Sequence, residues 1–112
     1  MGRQWTQLWE GLIDYTVETK YTVPANTRTL LRSFIISNPL SRIVQVTVVI
    51  GGNTILNAFP IPAQANGSRD NIFEFNTPIV LNAAETVTMM CDDTSDDDQL
   101  TTMGAGEELT LG

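Results

Sequence analysis

The sequence predicts an all-β protein: a single antiparallel β-sandwich, jelly-roll-like, with seven or eight short strands and an N-terminal arm. Three observations lead there. In Ile43 to Ile50, Val44, Val46, Val48 and Ile50 share one phase of a two-residue period while Gln45 and Thr47 share the other, as in a strand with one buried face. Turn residues punctuate the chain at short intervals, from Pro24 through Asn38-Pro39 and Gly51-Gly52 to Pro78. Residues 20 to 112 contain no long segment of helical periodicity. The organisation expected is an arm over 1–19 and a sandwich over 20–112.

In the arm, Trp5, Leu8, Trp9, Leu12 and Ile13 fall at the spacing of an amphipathic helix stripe. Gly11 interrupts that stripe and Tyr15 to Thr19 is β-prone, so a short helix and an extended strand docking elsewhere both remain open. Both tryptophans lie within nine residues of the N-terminus, and a tryptophan needs a surface to cover it. They either cap the domain's own core or, with Leu8 and Leu12, form a partner-binding arm.

Pro24 pushes Val23 toward extended backbone and Asn26 tolerates a left-handed turn, after which Arg28 opens ten residues rich in strand formers. Asn38-Pro39 ends that strand. After Ile50, Gly51-Gly52-Asn53 supplies the positive φ of a tight reversal and Thr54 to Phe59 returns as a hairpin partner. Residues 60 to 71 read as an exposed connection. Phe73 with Phe75, Ile79 to Leu81 and Thr86 to Cys91 follow as strand pieces, the second and third joined by an Asn82-Ala83-Ala84-Glu85 turn. Leu100 to Met103 and Leu109 to Leu111 are weaker strand candidates, separated by Gly104-Ala105-Gly106.

Thirteen acidic residues against six basic ones give a net charge of -7, which disfavours nucleic acid as a partner. No apolar run approaches the ~18 residues of a membrane span, and no signal-peptide core is present, so a cytoplasmic origin and no membrane partner are expected. Gly2 and Thr6 fit the loose N-myristoylation pattern, which reads as coincidence.

There is no histidine and one cysteine, so the commonest acid-base, nucleophile and zinc constellations lack their residues, and neither catalytic residues nor a cofactor is expected. Cys91 reads as a small core residue. Asp92, Asp93, Asp96, Asp97 and Asp98 put five carboxylates into seven residues. Such a run reads as an exposed, solvated loop, with Ca²⁺ ligation the sharper alternative. Arg28, Arg32 and Arg42 gather around one strand and its turn, and Arg32 interrupts the apolar phase of Leu30, Phe34 and Ile36. They read as edge charges, or as a subunit interface that meets a neighbour's carboxylates.

The segments Tyr21-Thr-Val-Pro-Ala-Asn-Thr-Arg28, Leu30-Leu-Arg-Ser-Phe-Ile-Ile-Ser-Asn38 and Pro78-Ile-Val-Leu-Asn-Ala-Ala-Glu-Thr-Val-Thr88, behind a Trp-containing arm, resemble the small β-sandwich structural proteins of tailed-bacteriophage virions. The likeness spans residues 5 to 111 and rests on turn chemistry. Ala84-Glu85 departs from it where Gly-Asp is more usual, and the aspartate run has no counterpart. The resemblance implies a non-enzymatic subunit that decorates or cements a capsid as a homo-oligomer, with a trimer favoured. Its partner would be the major capsid protein and its place the outer surface of a virion assembled in a host bacterial cytoplasm. A neck, tail or fibre component is the alternative within the virion. A carbohydrate- or calcium-binding adhesion module is the alternative outside it.

Overall fold

A computed structural model describes residues 6–40, 42–62, 70–92 and 100–111. Eight strands appear among them and no helix: β1 (Thr6–Leu12), β2 (Glu18–Thr22), β3 (Thr27–Ser37), β4 (Val44–Ile50), β5 (Asn53–Ile61), β6 (Asp70–Leu81), β7 (Thr86–Cys91) and β8 (Thr101–Thr110). They form two four-stranded sheets, ordered β1-β8-β3-β6 and β2-β7-β4-β5, with every pairing antiparallel. Successive strands alternate between the sheets except at the β4–β5 hairpin. This is the double Greek-key order of a jelly roll, and the sandwich it makes is open at its edges.

The local chemistry follows the turn residues. Gly51 and Gly52 hold φ of 57° and 84°, the two positive values of a primed hairpin turn, and Ile50 pairs with Asn53 across it. Asn26 sits at φ 56°. Asn38, fully buried at the end of β3, donates through Nδ2 to the carbonyls of Arg42 and Ile61, and its Oδ1 accepts the Leu40 amide at 3.0 Å. One buried side chain thereby satisfies backbone groups of the loop after β3 and of the end of β5.

One element decides between alternatives that the sequence leaves open, and two differ from the sequence expectation. The segment Thr6–Leu12 is a strand of the first sheet, paired along its length with β8, and Trp9 is a core residue at 5% exposure. Its indole lies against Phe34 and Tyr21, with ring centroids 6.4 and 6.2 Å away, and its Nε1 donates to Thr102 at 3.1 Å. The expected break at Gly104-Ala105-Gly106 is instead the middle of the continuous strand β8. A Cβ on Gly104 would stand 2.3 Å from the Trp9 ring, and one on Gly106 would stand 2.1 Å from the Leu30 carbonyl oxygen. These glycines make room for close neighbours and do not turn the chain. The third element is β6, which joins the Phe73–Phe75 and Ile79–Leu81 pieces into one strand despite Pro78. It lies at a sheet edge, where the amide that proline lacks is not needed for pairing.

Arg32 occupies a β-bulge. Leu31 pairs with Gly106 and Ser33 with Ala105, so Arg32 is one residue extra. The inward phase therefore changes along β3, from Thr27, Thr29 and Leu31 before the bulge to Phe34 and Ile36 after it. Leu30 is consequently on the outer face, contrary to the phase expected from unbroken alternation. Phe34 is the centre of the core, stacked on Phe73 at 4.8 Å. Cys91 is buried and its thiol donates to the Ile13 carbonyl, a small core residue as expected.

Candidate functional site

The two outer faces of the sandwich differ in character. Outward positions of the β2-β7-β4-β5 sheet carry many hydroxyls, with Thr22 opposite Thr86, Thr19 opposite Thr88, and Gln45 and Thr47 on β4, interspersed with Val49, Met90 and the exposed Ile55. The outer face of the β1-β8-β3-β6 sheet is apolar in its middle. Glu10, Met103, Ile35 and Ile72 lie opposite one another in a single row across all four strands. Met103 is 40% exposed and Ile72 60%, and Leu12, one row away, is 53% exposed. A contiguous apolar patch on a sheet face is the feature that marks an interaction surface.

The relief of this face comes from its composition. Short side chains at Ser37 and Thr101 lie between the taller Leu12, Ile35 and Met103 and leave a cleft of about 460 Å³, bordered by Glu10. That volume is within the ~300–1,000 Å³ of ligand clefts. Its lining is aliphatic with hydroxyls and one carboxylate, and the described residues place no aromatic ring in it.

The arginines expected to act together are apart. Arg28 begins β3 and is exposed, and Arg42 lies beyond its far end. Arg32 is held within its own chain, with Nη2 and Nε donating to Glu107 Oε1 at 2.8 and 3.2 Å. Arg32 thus meets a carboxylate on β8 of its own chain.

Of the arm residues, Trp9 is committed to the core, Leu8 packs partly against it and Leu12 is exposed, while Trp5 lies outside the described residues. Within the aspartate run only Asp92 is described. It is exposed, its Oδ1 accepts the Gln45 amide at 2.9 Å, and its own amide donates to the Gln45 carbonyl. Asp93, Asp96, Asp97 and Asp98 lie outside the described residues.

A second polar cluster runs from the buried Tyr21 and Thr29 to the exposed Glu108. Tyr21 Oη is 2.7 Å from Thr29 Oγ1 and donates to a Glu108 carboxylate oxygen. Burial, and then the hydrogen bond to Glu108, push the Tyr21 hydroxyl from 10.0 up to about 12. A phenol so held stays protonated at neutral pH, and it ties β2 to β3 and β8 across the two sheets.

The turns behind the family resemblance meet in space. The Val23 amide donates to the Glu85 carbonyl, the Ala84 amide donates to the Val23 carbonyl, and Asn26 accepts the Leu111 amide at 2.7 Å. They form one hydrogen-bonded cluster of turns.

Comparison with protein-family models, curated proteins and solved structures returned no match.

The surface that sequence reasoning missed is the Met103, Ile35, Ile72 row. Each residue lies in a different strand, and only the register of three strands brings them together. The phase change at Arg32 also hid which residues of β3 face outward.

Proposed function

We propose that this chain is a non-enzymatic structural protein of a tailed-phage virion, decorating or cementing the capsid by binding the lattice of the major capsid protein. The observation that carries the reading is the row of Met103, Ile35 and Ile72 on the outer face of the β1-β8-β3-β6 sheet. The turn sequences that resemble virion sandwich proteins supply the setting. The mechanism needs no turnover: the jelly roll is a rigid body, its outer β1-β8-β3-β6 face seats on a neighbouring chain, and many identical seats across a shell make modest contacts persistent. The seat is this face in place of the detached arm, because Trp9 cannot leave the core without opening it.

Particles purified from cells that express the chain test the reading by quantitative mass spectrometry. Hundreds of copies per particle support decoration, a handful places the chain at a neck or tail, and absence from particles refutes it. The homotrimer belongs to the same proposal and would use surface other than the cleft. Sedimentation of the purified chain as a monomer would remove it.

A further inference from the structure

We infer that the cleft across β1, β8 and β3 takes an apolar polypeptide segment that carries a basic residue, its aliphatic side chains over Leu12, Ile35 and Met103 and its cation at Glu10. The inference deepens the proposed function and rests on its reading of this face as a seat, since it names the chemistry of what sits there.

Charge selects the occupant. Glu10 ends the apolar row on β1 and Glu74 lies beside it on β6, both exposed and neither in an ion pair among the described residues. Two cations of the described residues are engaged: Arg32 with Glu107, and Lys20 with Glu18 at 3.0 Å and with the Leu12 carbonyl. Among the described residues, the face therefore offers an apolar centre flanked by two carboxylates that no described cation pairs. A second copy laid face to face would set Glu10 against Glu10 or Glu74, an unfavourable juxtaposition either way. An anionic lipid surface meets the same obstacle from a chain of net charge -7. A segment alternating aliphatic and basic residues meets neither.

The test uses the full chain and three short fluorescent peptides, alternating Leu with Lys, Leu with Glu and Ser with Lys, read by anisotropy. The Leu/Lys peptide should bind, and the other two should bind at least ~tenfold more weakly. Met103→Ser should weaken the Leu/Lys peptide by ~tenfold and Glu10→Gln by about threefold. Val17→Ser, a substitution at another exposed apolar residue, should leave it unchanged. Leu12→Ser serves if Met103→Ser does not fold. The inference is overturned if the Leu/Glu peptide binds as well, if the cleft variants bind like wild type, or if no peptide binds. It is also overturned if the chain self-associates, or binds anionic vesicles, in a manner that Met103→Ser abolishes. No shell enters the experiment, so silent peptides with the chain abundant in particles sink the inference alone, and bound peptides with the chain absent from particles sink the proposed function alone.

Discussion

At the scale of single residues, Trp9 and Gly104 are one unit. The indole covers the glycine where any Cβ would lie 2.3 Å from the ring, so Gly104→Ala should destabilise the fold by about 1–3 kcal/mol through overpacking. In a Trp9→Leu background the same change should cost much less, and a double-mutant cycle by urea denaturation reads the coupling. Ala84 is the opposite case. It holds φ of 72°, where an L side chain is strained and glycine is not, so Ala84→Gly should stabilise by about 0.5 kcal/mol as relief of strain outweighs the added chain entropy. A thermal melt showing a lower midpoint would contradict this. The unusual Ala-Glu at this turn was legible in the sequence as a departure, whereas its backbone angle was not.

Tyr21 gives a pH dependence with a definite sign. Its folded value of about 12 lies above the unfolded 10.0, so its contribution to stability is complete below about pH 10 and is lost as pH rises through about 12. Tyr21→Phe should flatten the fall in stability over that alkaline window. An unchanged alkaline slope in denaturant titrations of wild type and variant would show that Tyr21 is not its source.

At the scale of elements, β1 decides whether an N-terminal truncation is harmless. As an arm it could be removed, but as the edge of the first sheet it carries Trp9 into the core, and large-to-small loss of a buried tryptophan alone costs roughly 3–5 kcal/mol. Deleting residues 1–16 should therefore abolish cooperative unfolding by circular dichroism, and a truncated chain with an undiminished melting transition would return β1 to the status of an arm. The sequence carried the elements whose periodicity is unbroken: Val44 to Ile50, the Gly51-Gly52 hairpin and Thr86 to Cys91 were all readable. It concealed those whose pattern depends on a distant partner. The helical spacing of Leu8, Trp9 and Leu12 came from a strand with a bulge at Leu8, the β8 glycines mimicked a turn because their neighbours are in other strands, and Arg32 displaced the phase of β3.

For the whole molecule, the jelly-roll order brings Glu10, Met103, Ile35 and Ile72 from four strands into one row, and no local pattern announces it. Both edge strands on the β5–β6 side carry a proline, Pro60 and Pro78, which blunts pairing with another sheet along that side. The most direct measurement is electron cryo-microscopy of particles from cells that express the chain, at a resolution that places side chains. The expected result is a jelly roll in many symmetry-related copies on the shell, with Leu12, Ile35 and Met103 turned toward the underlying lattice. A sandwich seated with that face to solvent, or no density for it anywhere on the particle, would contradict the proposed function at its centre.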